Sequence, residues 1–178
     1  MSPLPDPQPA LLLMAAFSRY PEALRWTEQQ IAAHWGPLAL VSPQFEFTQT
    51  DYYEPTMGPG LLKQFFACEQ LTGQDALPAL KLQTGSWEAE YAAEANVPEP
   101  RPLNLDPGLI TLGKLLLAST KDHAHRIYLG RGIFAEVTLH LRHGRWEPWP
   151  WTFPDYRRAD YQAFFDECRS YLRLKLRK

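Results

Sequence analysis

Residues 10–17 read ALLLMAAF, an unbroken apolar run. A helix that packs along one stripe shows apolar residues at a 3.6-residue period with a polar side between them, and this run has no polar side. It is far too short to cross a membrane. No basic residue precedes it, as a signal peptide would require. The run suits a central strand covered on both faces, and with no export signal the chain is expected in the cytoplasm.

Working outward, Pro21 suits the first turn of a helix, Glu22 favours its N-terminal dipole, and Leu24, Ile31 and Trp35 share one face. Gly36-Pro37 ends it. Leu38 to Val41 and Phe45 to Phe47 read as extended. Leu61 to Glu69 reads as a strand with Leu62, Phe66 and Cys68 on one face. Asp75 can cap a second helix whose buried face is Leu80, Thr84, Trp87 and Tyr91, and Arg101 to Leu105 reads as a fourth strand. The order is β-α-β-β-α-β. The expected class is therefore α+β, a ferredoxin-like antiparallel sheet over residues 10–106 with its helices on one face.

Residues 107–118 suit either a helix or a buried strand. Helix is preferred, because Asp106-Pro107 supplies a cap and a first-turn proline. A hairpin follows, with His125 to Leu129 and Ile133 to Leu141 flanking Gly130-Arg131-Gly132. Ile133, Ala135, Val137, Leu139 and Leu141 should face one way and Phe134, Glu136, Thr138 and His140 the other. A three-residue loop sets Leu129 opposite Ile133 and Arg126 opposite Glu136, whereas a two-residue loop sets His125 against Glu136. A final helix should bury Tyr161, Phe164, Phe165, Cys168 and Leu172. The 178 residues are read as one domain, with the hairpin and last helix packed on the first part and the proline-rich residues 1–9 disordered.

Composition agrees with a globular core: 45% hydrophobic, 21% charged, with aromatics and proline both high. The net charge of −2 draws neither nucleic acid nor acidic lipid. The basic cluster Arg169, Arg173, Lys175, Arg177 and Lys178 reads as a solvated helix end. Two cysteines, Cys68 and Cys168, make no disulfide framework. There is no G-x-x-x-x-G-K-[ST] loop, no G-x-G-x-x-G, no H-E-x-x-H, no C-x-x-C and no G-x-S-x-G. Thr120-Lys121-Asp122 resembles the guanine-reading tripeptide of GTP-binding proteins but lacks the phosphate loop that gives it meaning. No motif implies a cofactor.

Three polar segments stand beside apolar elements. Asp51-Tyr52-Tyr53-Glu54 offers two carboxylates and two phenols, to bind a metal or to orient a ligand between rings. Asn104 and Asp106 alternate with Leu103 and Leu105, so both can project from one strand face. Lys114, Lys121, His125 and Arg126 with Glu136 supply cations to clamp an anion and a histidine to carry a proton. Each has a plain structural reading: a surface crossover, a helix cap, a cross-strand ion pair. Their combination favours a cleft for a small anionic ligand, or a metal plus phosphate. In it His125, Asp51 and Glu54 are the catalytic candidates, and Asp51, Glu54 and Asp106 are the metal candidates. Tyr52, Tyr53, Asn104, Asp106, Lys114, Lys121, Arg126 and Glu136 are the ligand-binding candidates. Alternatives are a non-catalytic protein-interaction module, and single-strand or RNA binding through the Trp- and Arg-rich residues 142–157.

Several ordered motifs also resemble a known family. They are Thr50-Asp51-Tyr52-Tyr53-Glu54 with Met57-Gly58, Asn104 to Gly108, Thr120-Lys121-Asp122, His125 to Leu129, Ala135 to Leu139 and Trp151 to Arg157. Together they look like the domain of unknown function 4416 family of small prokaryotic proteins. The resemblance covers nearly the whole chain and implies a stand-alone single-domain protein. It implies no activity, cofactor or catalytic residue. Phe153 and Leu109 stand where that family commonly has Tyr, so neither position is assigned chemistry.

Overall fold

The computed structural model describes residues 7–177. Residues 1–6 of the start expected to be disordered lie outside the described residues, and residues 7–9 are exposed and outside any helix or strand. The strands are β1 (Ala10–Ser18), β2 (Leu38–Val41), β3 (Phe45–Glu46), β4 (Leu62–Thr72), β5 (Asn104–Ile110), β6 (Lys114–Ser119), β7 (Ile127–Gly130), β8 (Ile133–Arg142) and β9 (Arg145–Pro148). The helices are α1 (Pro21–Trp35), α2 (Glu54–Met57), α3 (Leu77–Glu94) and α4 (Ala159–Lys175). All nine strands join one open antiparallel sheet ordered β2-β4-β1-β5-β6-β8-β7, with β3 beside β4 and β9 beside β8. This sheet is larger than the four strands plus hairpin expected.

The apolar run in β1 explains the layering. Leu12, Met14 and Ala16 pack with Leu24 and Ile31 of α1 and with Leu80, Trp87 and Tyr91 of α3 on one face. Leu11, Leu13 and Ala15 pack with Tyr161, Phe165, Cys168 and Leu172 of α4 on the other. Burying such side chains on both faces contributes about 1.5–3 kcal/mol for each large one. Among the described residues, no helix is long and apolar enough to cross a membrane.

The segment 107–118 is not a helix, and this expectation is corrected. Asn104 to Ile110 is a strand beside β1, the turn 111–113 reverses the chain, and Lys114 to Ser119 runs back. Propensity lost to burial: Leu105, Leu109 and Ile110 are fully buried between helix layers, a place only a strand of this sheet can occupy. Pro107 is tolerated because the ladder to β6 covers only Gly108 to Ile110. Gly108 permits the close approach, since a Cβ there would lie 2.4 Å from the Leu116 carbonyl oxygen. Before Gly108 the two strands part, β5 staying with β1 and β6 with β8.

Smaller corrections follow the same logic. Asp75 does not cap α3. It lies in a 3-10 turn, and the helix starts at Leu77 with Pro78 in its first turn. The hairpin closes through Arg131 and Gly132, both at positive φ, with Gly130 opposite Ile133 and Leu129 bulged out. The bulge restores the three-residue register beyond it, pairing Ile127 with Ala135. A second irregularity, at Thr138, divides β8. Ile133 and Ala135 face the α1/α3 side while Leu139 faces α4, so the expected single apolar face is split between two cores.

Candidate functional site

The parting of β5 from β6 opens a cleft of about 400 Å³. Its apolar wall comes from Phe17 at the end of β1 with Phe47 and Tyr53, which pack over Met57 and Leu61. Asn104 and Asp106 of β5 face Leu117 and Ser119 of β6. The strand linker gives Lys121, His123 and Arg126, and the turn before α4 gives Phe153, Asp155 and Tyr156.

Ionic groups are arranged around it in three clusters. On the floor, Lys63 Nζ donates to Asp155 Oδ2 at 2.6 Å, with each side chain 4% exposed. The ammonium also lies 4.5 Å from the Tyr156 ring centre and 4.9 Å from that of Phe47. Lys81 reaches from α3, on the opposite side of the sheet, to donate to the Leu105 carbonyl and Asp106 Oδ1, both at 2.8 Å. Asn104 Nδ2 donates to the other Asp106 oxygen at 2.7 Å, and Arg101 donates to Asn104 Oδ1. In the third cluster, Glu136 Oε2 accepts from Arg126 Nε at 2.9 Å and lies 3.1 Å from His125 Nε2, while Thr138 Oγ1 donates to Oε1. Arg126 Nη1 also donates to Ser119 Oγ and to the Lys121 carbonyl.

These contacts set the acidities. Burial pushes Asp106 up, but the Lys81 ammonium and the hydrogen bonds outweigh it and hold the carboxyl below its usual range. Burial raises Glu88, whose carboxylate accepts from the Leu105 N–H behind the cleft. Burial, then Asp106, pushes the Tyr53 phenol up to about 12. Burial first, then the charges of Asp155, Asp106 and Glu136, raises Tyr156 far above the normal phenol range. The exposed Tyr52 goes the other way, because Lys121 Nζ bonds its hydroxyl at 3.1 Å.

The geometry sorts the residues singled out from sequence. Tyr52, Tyr53, Asn104, Asp106, Lys121, Arg126 and Glu136 line the one cleft. Asp51, Glu54, Lys114 and His125 do not line it. Lys114 is exposed at the far end of β6, opposite His140. Asp51, in the preceding loop, and Glu54, at the start of α2, are exposed outside the cleft. His125 precedes β7 and so escapes strand alternation, reaching Glu136 from the same side as Arg126. Among the described residues, no three His, Cys, Asp or Glu side chains converge as metal ligands, and Asp51, Glu54 and Asp106 do not form such a group.

A family model described as "Domain of unknown function (DUF4416)" matches residues 8–171, from just before β1 into α4. The chain belongs to the DUF4416 family. No curated protein and no solved structure gives a significant match. The match spans every strand of this DUF4416 domain and every residue lining its cleft.

Sequence reasoning missed Lys63, Lys81, Arg101, Asp155 and Tyr156 of the DUF4416 cleft. Two of them left a trace. Lys63 interrupts the inward side of β4, where Phe65 and Ala67 follow at strand spacing, and Lys81 adjoins the buried Leu77, Leu80 and Thr84 of α3. A cation on a buried face requires a partner. Asp155 and Tyr156 carry no such trace, because their turn has no period. Two polar atoms of the lining residues are sealed from solvent and lack a partner: the Tyr156 hydroxyl and Gln49 Oε1.

The tryptophans of residues 142–157 are divided. Trp146 is in the α4 core, whereas Trp149 and Trp151 stack on each other with centroids 5.2 Å apart and planes at 7°. Beyond Trp151 the stack continues through His125 to His123, whereas beyond Trp149 the His140 ring lies 4.3 Å away with its plane tilted by 31°.

Proposed function

We propose that the cleft binds a small anionic ligand. One observation carries this reading: the lining holds five cations, Lys63, Lys81, Arg101, Lys121 and Arg126, against three carboxylates, Asp106, Glu136 and Asp155. Lys63, Lys81 and Arg126 are each hydrogen-bonded to one of those carboxylates. Lys121 donates to a neutral oxygen, of Tyr52, whereas Arg101 donates to Asn104 Oδ1 and also has Glu88 Oε2 3.9 Å from its guanidinium. The excess charge therefore sits at the mouth, on Lys121, whose partner is neutral, and on Arg101, whose contact with Glu88 is long and half-exposed. Arg126, the clamp suggested by sequence, has its Nε and Nη1 donors engaged within the fold, so we assign it to holding the wall.

Thermal-shift titration with phosphate, pyrophosphate and citrate tests this. Stabilisation should follow ligand concentration and fall in the Arg101→Ala/Lys121→Ala double variant. Equal stabilisation of both proteins, or of neither, contradicts it.

One feature favours interaction with a macromolecule as a second reading. Strand β7 ends the sheet, and its Ile127, Tyr128 and Leu129 are 71%, 60% and 39% exposed. An apolar edge strand with free backbone groups is a template for strand addition. Mass that rises with concentration and is abolished by Ile127→Lys would support it.

Two finer assignments complete the reading. We infer that Ala10 to Ile110 form a ferredoxin-like unit, supported by the order β2-β4-β1-β5 with α1 and α3 on one face. We also place the protein in a reducing compartment, the cytoplasm, in keeping with two buried free cysteines.

A further inference from the structure

Resting on the anion reading above, we propose that the ligand is a small zwitterion, an anion that also carries a primary ammonium, and that Asp106 receives the ammonium. Three carboxylates line the cleft, and one of them is open to solvent. The Glu136 and Asp155 side chains are 1% and 4% exposed, whereas that of Asp106 is 29% exposed. A ligand entering past Arg101 and Lys121 therefore meets one carboxylate that it can touch.

That carboxylate is ionised in the folded protein. Burial favours the neutral acid, but the Lys81 ammonium and the hydrogen bonds from Lys81 and Asn104 outweigh it. An ionised carboxylate has about four acceptor sites. Within the fold Oδ1 takes Lys81 Nζ and Oδ2 takes Asn104 Nδ2, which leaves lone pairs on an accessible group. A plain anion seated beside Asp106 would be repelled by it. An ammonium on the same ligand turns that repulsion into a hydrogen bond between two ionised groups, and a hydroxyl makes a weaker one.

The spacing suits a small molecule. Asn104 accepts from Arg101 on Oδ1 and donates through Nδ2 to Asp106, so a single side-chain amide separates the cation at the mouth from the carboxylate inside. A ligand only a few bonds long can set its anionic group against Arg101 and its ammonium against Asp106. The rings of this wall also accept cations on their faces: the Arg101 guanidinium lies 6.0 Å from the Tyr53 ring centre, and Lys121 Nζ lies 4.9 Å from that of Tyr52.

Isothermal titration of the full chain with isosteric pairs separates the ammonium from the anion. Phosphoethanolamine is compared with propyl phosphate, and γ-aminobutyrate with pentanoate, so that a methyl replaces the ammonium in each pair. Hydroxyethyl phosphate supplies the hydroxyl. At neutral pH at least one amine should bind about ten-fold or more tightly than its methyl isostere, and phosphoethanolamine more tightly than hydroxyethyl phosphate. Asp106→Asn keeps a polar group of the same size and removes the charge, and the preference should then fall to about two-fold or less. The probe series on the parent protein decides the claim even where that variant is too unstable to titrate. If neither amine outbinds its isostere, or the hydroxyl probe matches phosphoethanolamine, the zwitterion is refuted and the anion reading stands. A preference left intact in Asp106→Asn refutes the role of Asp106. If no probe binds, both readings fall.

Discussion

Lys63 Nζ lies 2.6 Å from Asp155 Oδ2 in the floor of the cleft, joining the middle of the sheet to the turn that leads into α4. Both side chains are nearly sealed from water, so each charge depends on the other. Removing one partner leaves an uncompensated charge and should cost about 3–5 kcal/mol. Lys63→Met and Asp155→Leu should each lower stability by that amount in urea unfolding, and the double variant should lose less than the sum.

Arg126 and Glu136 should behave as a second anchor. Glu136 accepts three side-chain contacts, and both side chains of the pair are 5% exposed or less. Arg126→Ala should therefore destabilise by about 3–5 kcal/mol. Lys114→Ala, at the exposed end of β6, should stay within about 0.5 kcal/mol of the parent. Chemical unfolding of the two variants side by side checks the contrast.

Gly108→Ala tests the junction from which the cleft opens. The new methyl would press on backbone oxygen, which has no rotamer to escape into. A loss of about 1–3 kcal/mol or more is expected from overpacking, read as a lowered melting temperature. A variant as stable as the parent contradicts the close approach of β5 and β6.

Asp106 gives the acid limb of stability a definite sign. Its carboxyl is held below the ordinary value of 3.8, so the folded state binds this proton more weakly than the unfolded state. Its contribution is complete above that value and lost as pH falls through the lower folded one. Asp106→Asn should be less stable than the parent at neutral pH, with the gap closing in acid below the folded value. Urea midpoints measured from acid to neutral pH read this out. A gap independent of pH would show that the Lys81 contact contributes nothing ionic.

What the sequence revealed depended on periodicity. The ALLLMAAF run and the alternation of β4 and β8 are strong local patterns, and they placed β1, the hairpin and the last helix correctly. The register of Arg126 against Glu136 followed from counting across the turn, and the bulge at Leu129 preserved it. Residues 107–118 failed because Asp106-Pro107 is equally good chemistry for a helix start and for a strand with one free side. Neighbours distant in sequence, Met14 and Leu117, decided between them. In the cleft, exposed-looking polar loops were visible as a mixture of charges, which brought in Tyr52, Asn104, Asp106 and Lys121. Lys63 and Lys81 stayed hidden because their carboxylates, Asp155 and Asp106, lie 92 and 25 residues away, a pairing only the fold creates.

The cleft between β5 and β6 is proposed as an anion site whose excess positive charge lies on Lys121 and on Arg101, which is paired only at 3.9 Å with Glu88. Amide chemical-shift mapping during a titration with pyrophosphate tests it most directly. The account predicts saturable shifts concentrated at Thr50 to Tyr53, Arg101 to Asp106 and Ser119 to Arg126, and lost in the Arg101→Ala/Lys121→Ala variant. Shifts centred instead on the basic end of α4, or spread evenly over surface lysines and arginines, would contradict it.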